Sequence, residues 1–151
     1  MSVINTALLS FGMSGRLFHA PCVDQHPGFN LAGCWERSRK LIGQDYPSVR
    51  SYDSLDELLA DDAVDLVVVN TPTYTQYDFA KKVLDGGKHL VVEKAFVGNA
   101  AEAKELRDLA KYVGRKLSVF QNRRWDSDFQ SVRQVLRDGV LGDIVEANLA
   151  Y

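Results

Sequence analysis

Short apolar runs alternate with longer amphipathic stretches along this chain, and that alternation constrains the fold more than any other feature. Val67-Val68-Val69 and Leu90-Val91-Val92 are continuous and mostly β-branched. A strand exposed on one face would alternate apolar with polar, so unbroken apolarity marks strands buried on both faces, as in a parallel sheet. The apolar runs as a whole lie at 5–11, 30–35, 66–70, 89–92 and 117–120.

Helices with readable ends fall between the runs. Ser54-Leu-Asp-Glu57 is a capping-box pattern that opens a short helix through Leu59. A helix from Tyr77 to Leu84 is stopped by Gly86-Gly87. Asn99, with Glu102 three residues on, caps a helix whose stripe is Ala103, Leu106, Ala110 and Val113 and which Gly114 ends. Another helix runs from Asp126 to Asp138, with Phe129, Val132, Val135 and Leu136 expected to face inward and Gly139 at its end. The run 144–151 reads as one more strand. This alternation predicts an α/β fold, a doubly wound parallel sheet of six strands with helices on both faces.

Composition narrows the function. At 151 residues with 46% hydrophobic and 25% charged, the chain has the balance of a soluble domain with a sizeable core. A net charge of −2 argues against nucleic-acid or anionic-membrane partners, which favour basic surfaces. Cys22 and Cys34 form no close pair, metal-type Cys/His spacing is absent, and no secretory or membrane-spanning pattern is present. No metal and a cytoplasmic location are the resulting expectations.

Ser10-Phe-Gly12-Met13-Ser14-Gly15 follows the first strand and opens a helix. A glycine there lets the backbone approach a pyrophosphate, and a helix N-terminus offers free N–H groups and partial positive charge. Ser10 replaces the first glycine of G-x-G-x-x-G, so an ordinary tight turn is the competing reading. Glu36 ends the second strand about 20 residues beyond the turn, where a carboxylate accepts from ribose hydroxyls. Arg37 and Ser38 follow and can instead hold a 2′-phosphate. These neighbours pull in opposite directions on NAD versus NADP.

The glycine turn, Asn70-Thr71-Pro72, Glu93-Lys94 and Gln121-Asn-Arg-Arg-Trp-Asp-Ser-Asp-Phe129 occur in that order. In combination they resemble the Gfo/Idh/MocA family of oxidoreductases, over essentially the whole chain. The stretch from Phe11 to Pro21 and that from Asn122 to Phe129 look most like its branch of NADP-dependent scyllo-inositol dehydrogenases. The resemblance implies an N-terminal Rossmann domain over residues 1–143, with 144–151 the opening strand of a C-terminal α/β domain otherwise absent. It implies NAD(P) as cofactor, with NADP favoured by Arg37-Ser38 and by the branch. It further implies a polyol, inositol or sugar substrate and a homo-oligomer formed through the C-terminal domain.

Lys94 matches the family's Glu-Lys-Pro lysine, beside substrate and nicotinamide. A lysine at the C-terminal end of a parallel strand points toward the ligand crevice, where burial beside a cationic ring favours proton exchange with a substrate hydroxyl. Glu93 orients Lys94 or binds ribose. Ala95 stands where the family usually has proline, which loosens the loop. Thr71-Pro72 should pass the nicotinamide ribose, and Gln76 stands where a histidine is frequent. Asn122, Arg124 and Trp125 are implied cofactor contacts, against a plain reading as a helix-entry loop with solvated arginines. His19 reads as packed beside the turn. A non-catalytic nucleotide-sensing regulator is the competing function, and an isolated chain without turnover is expected in either case.

Overall fold

The computed structural model describes residues 2–148. Two compact units divide them, one running to Phe120 and the other starting at Gln121. The first unit holds six strands: β1 (Ile4–Leu8), β2 (Phe29–Trp35), β3 (Arg50–Tyr52), β4 (Leu66–Val69), β5 (His89–Glu93) and β6 (Leu117–Phe120). All pair in parallel, in the order β3-β2-β1-β4-β5-β6. Every strand therefore ends at the same edge, and the order reverses beside β1. A ligand crevice opens at such a reversal, beyond the carboxyl ends of β1 and β4.

Side-chain alternation divides the core between the two faces. Ala7, Val67, Val69, Leu90 and Val92 pack with Leu55 and Leu58 of α3 (Leu55–Ala60), Val83 of α4 (Thr73–Asp85) and Leu106 of α5 (Ala100–Tyr112). Leu8, Leu31, Cys34 and Val68 pack on the other face with Ala20 of α1 (Ala20–Gln25) and Ile42 of α2 (Ile42–Asp45). Both neighbours of each inward residue are thus inward themselves, which is why the valine runs are unbroken. Each fully buried valine, leucine or isoleucine side chain contributes about 1.5–3 kcal/mol.

The local end signals hold. Ser54 Oγ accepts the Glu57 N–H at 3.0 Å, and Glu57 reaches back to the N–H of Asp53 at 2.8 Å, one residue before the cap. Asn99 Oδ1 accepts the Glu102 N–H at 3.0 Å, and Gly114 leaves α5 at φ +66°. α4 starts one turn before Tyr77, at Thr73, because Pro72 directly precedes it at φ −55° and orients the chain for helical entry. The helix after the glycine turn spans residues 13–25 and widens into a π-helical turn at Gly15–His19. Pro21, just beyond, has no N–H to give and its ring crowds the carbonyl four residues back, so the helix widens there.

β3 is the strand that the apolar runs miss. It is three residues long, lies at the sheet edge and buries only Tyr52. Gly33 of β2 makes room for that ring, since a Cβ there would overlap it. The Tyr52 hydroxyl donates to Asp61 at 2.8 Å, and burial, with that carboxylate, pushes the phenol up to about 12.

In the second unit, Asn122–Trp125 form a 3-10 turn and α6 spans Ser127–Arg137. Phe129, Val132, Val135 and Leu136 are 39–54% exposed, so the inward packing expected of them is not formed. They share one stripe, as the periodicity requires, but the described residues of this short unit offer no facing element to cover it. The expected strand at 144–151 is also not formed in its described part: residues 144–148 are irregular, and the rest lie outside the described residues. A strand exists through its ladder partner, and none lies beside 144–148 among the described residues. No helix among the described residues is long and apolar enough to cross a membrane.

Candidate functional site

The turn after β1 is closed from within. Ser10 Oγ accepts the Gly12 N–H at 3.2 Å, so the serine in the first-glycine position ties the loop by its side chain. Asn70, at the end of β4, donates from Nδ2 to the Ser10 carbonyl at 2.8 Å and binds the two neighbouring loops together. Its Oδ1 is buried and has no partner among the described residues. The two remaining glycines differ in kind. A Cβ on Gly15 would strike the Ser10 carbonyl oxygen and lie 2.9 Å from Asn70 Nδ2, whereas one on Gly12 would meet only Ser10 Oγ, at 3.4 Å. Gly15 is therefore demanded by packing, and Gly12 is not. Met13, Ser14 and Gly15 open the helix, and by position their N–H groups lack an acceptor one turn back.

A cavity of about 380 Å³ lies beside this turn, and its walls include Ser10, Gly12, Glu36, Arg37, Ser38, Thr71 and Pro72. Residues predicted from three separate loops thus meet in one crevice at the carboxyl edge. Trp35 and Phe79 add an aromatic wall, edge to face with ring centroids 5.6 Å apart. The Thr75 hydroxyl donates to the Pro72 carbonyl at 2.7 Å and lies 2.9 Å from the Thr71 hydroxyl, while Gln76 Nε2 donates to the Thr71 carbonyl at 3.0 Å. Gln76 is buried, so in place of an acid or base it braces the loop.

Glu36 is only 8% exposed, and its Oε2 accepts the Ile42 N–H at 3.0 Å, which satisfies the open end of α2. One carboxylate oxygen is thereby committed. Arg37 and Ser38 are exposed on the cavity wall, and so is Arg39, which the sequence reading missed. The available signal was a second guanidinium two residues beyond Arg37.

Lys94 follows β5 at the same sheet edge but is exposed, so the burial expected for it is not present in this chain. The Lys94–Ala95 peptide is cis, and Phe96 takes φ +79°. Glu93 is buried, and each of its carboxylate oxygens has a partner. One carboxylate oxygen lies 3.0 Å from His19 Nε2, and the other accepts the Lys94 N–H at 3.0 Å. This partner for His19 was not visible in sequence, because 74 residues separate the pair. Burial pulls His19 below the ordinary histidine range, against the raising influence of Glu93. Asn122, Arg124 and Trp125 belong to the second unit, where the Arg124 guanidinium stacks 5.0 Å above the Trp125 ring.

Known proteins resemble this chain in sequence and in fold. The chain is 40% identical over 141 residues to an uncharacterized oxidoreductase of Escherichia coli, YdgJ, covering 93% of the chain and 41% of that protein. It is 31% identical over 151 residues to the scyllo-inositol 2-dehydrogenase (NADP(+)) IolW of Bacillus subtilis, covering all of the chain and 42% of that protein. Among solved structures, an oxidoreductase from Bacillus cereus superposes with a TM-score of 0.87 at 34% identity, over 95% of this chain and 42% of that one. The chain thus spans about two fifths of the length of these relatives. The profile of the Gfo/Idh/MocA family, described as an oxidoreductase family with an NAD-binding Rossmann fold, matches residues 4–121. With the strand order and the glycine turn in agreement, this chain belongs to the Gfo/Idh/MocA oxidoreductase family through its NAD-binding Rossmann fold.

Proposed function

We propose that this chain is the cofactor-binding part of an NAD(P)-dependent dehydrogenase that moves a hydride between the nicotinamide and a hydroxyl-bearing carbon of a polyol, inositol or sugar. In this reading residues 1–143 form the dinucleotide domain and 144–151 lead into a C-terminal domain that completes the substrate site and the subunit contacts. The carrying observation is the shared cavity of Gly12, Glu36, Arg37, Ser38, Thr71 and Pro72. Three features of the chain fit the dinucleotide. Packing leaves Gly12 free to carry a side chain, so its bare backbone suits a pyrophosphate. The helix-opening N–H groups of Met13, Ser14 and Gly15 suit its charge. The orphan Asn70 Oδ1 offers an acceptor to a ligand donor. Asn122, Arg124 and Trp125 would complete the contacts.

NADP is the preferred form. Glu36 has committed one oxygen to Ile42, while the exposed Arg37 and Ser38, with Arg39 beside them, offer charge and hydrogen bonds to a 2′-phosphate. The name of the B. subtilis relative, an NADP-linked scyllo-inositol dehydrogenase, supports both this preference and the substrate class. Titration of the chain with both dinucleotides tests it: Arg37→Ala should lower the NADP-to-NAD affinity ratio at least about tenfold, a loss of about 1.4 kcal/mol. An unchanged ratio refutes the assignment of Arg37.

When bound, the dinucleotide supplies hydride exchange at its nicotinamide ring. Lys94, at the end of β5, takes the hydroxyl proton as the carbon gives up its hydride, and returns it in the reverse direction. Lys94→Met in the protein that turns over substrate should cut kcat by about 10² to 10⁴ and leave dinucleotide affinity within a few-fold. A near-normal kcat with an unchanged pH profile places the proton acceptor elsewhere.

A further inference from the structure

We propose that His19 is a positioning residue that holds the Lys94 backbone through Glu93, an inference that rests on the proton role given to Lys94 above. The imidazole is 4% exposed and sits on the helix that the glycine turn opens. Its Nε2 lies 3.0 Å from Glu93 Oε1, and Glu93 Oε2 accepts the Lys94 N–H at 3.0 Å. A carboxylate can only accept, so His19 Nε2 carries the hydrogen. The Phe120 ring packs on the imidazole at 4.4 Å between centroids, tilted by 50°, which fixes the ring plane.

Both Glu93 oxygens already have a partner, so the carboxylate holds its neighbours in place. Fold stability is a poor explanation for the pair. Burying an imidazole and a carboxylate costs desolvation that two apolar side chains in the same space would avoid. What the pair secures is direction. Residue 95 is alanine, with no ring to fix the backbone after Lys94. The carboxylate anchors that backbone at the amide, and His19 keeps the carboxylate from swinging away.

Amide hydrogen exchange on the 15N-labelled chain reads this hold without turnover. His19→Leu should speed exchange of the Lys94 amide at least about tenfold, as expected for loss of a charge-assisted hydrogen bond, and leave Leu90 and Val92 within about threefold. His19→Gln, whose amide nitrogen reaches as far as Nε2, should restore protection. His19→Asn, too short to reach Glu93, should not; it keeps the pocket polar and is the variant to read if the leucine variant does not fold. Unchanged Lys94 exchange in both His19→Leu and His19→Asn overturns the inference. Acceleration spread evenly along β5 also overturns it, by showing a mere prop of the fold. Near-normal kcat in Lys94→Met overturns the proton role instead, and with it the catalytic meaning of a hold that the exchange data measure separately.

Discussion

Replacing each glycine of the turn by alanine separates what packing demands from what a ligand demands. At position 15 the new Cβ would drive into the Ser10 carbonyl oxygen and approach Asn70 Nδ2 to 2.9 Å. The first obstacle is backbone, and the second is the amide that holds the loop by its 2.8 Å bond to the same carbonyl. Relief therefore means parting β1 from the end of β4. Overpacking of this kind costs about 1–3 kcal/mol, and a strained or lost hydrogen bond adds about 1. The helical preference of alanine over glycine returns roughly 1, leaving a net loss of about 1–3 kcal/mol. At position 12 the Cβ would meet only a hydroxyl at ordinary contact distance, 3.4 Å, and the backbone is outside the left-handed region. Gly12→Ala should be neutral to about 1 kcal/mol stabilising, through its effect on the unfolded chain. Its methyl group nevertheless occupies the cavity wall where a pyrophosphate would approach, so dinucleotide affinity should fall at least about tenfold, or 1.4 kcal/mol. Urea unfolding and fluorescence titration with NADPH measure the two quantities. A destabilised Gly12→Ala with intact binding, or a Gly15→Ala as stable as wild type, would refute the reasoning.

Glu36→Ala strands the Ile42 N–H beside the core and should cost about 1–3 kcal/mol, whereas Glu36→Gln keeps an acceptor and should cost less than half as much; thermal unfolding of the pair checks this. Tyr52 is held neutral in the fold up to about 12, against an ordinary phenol near 10. Its stabilisation is complete below pH about 10 and is lost as pH rises toward 12, so the alkaline fall in stability should be shallower in Tyr52→Phe. His19 has the opposite sign: burial depresses it, so the unfolded chain binds the proton more readily and stability should decline as pH falls below about 6.5. His19→Gln should flatten that acid limb in urea unfolding measured from pH 7 to 5.

Where interactions close within a few residues, the sequence by itself was sufficient. Ser54 and Asn99 reach N–H groups three residues on, so both caps were readable from side-chain type and spacing. The valine runs announced strands covered on both faces, and both faces are covered. Gly12, Glu36 and Thr71 were nameable because each sits at the end of a strand, and parallel pairing brings all such ends to one edge. What only the tertiary structure decided depends on distant partners. β3 is too short and too polar to signal itself and exists because β2 offers a ladder and Gly33 admits Tyr52. Glu36 turns inward because the open end of α2 lies within its reach, a fact of loop geometry that residue type does not encode. His19 finds Glu93 across 74 residues. The stripe on α6 was correct in period and wrong in burial, because periodicity says which residues share a face, and only the surrounding structure says whether anything covers it.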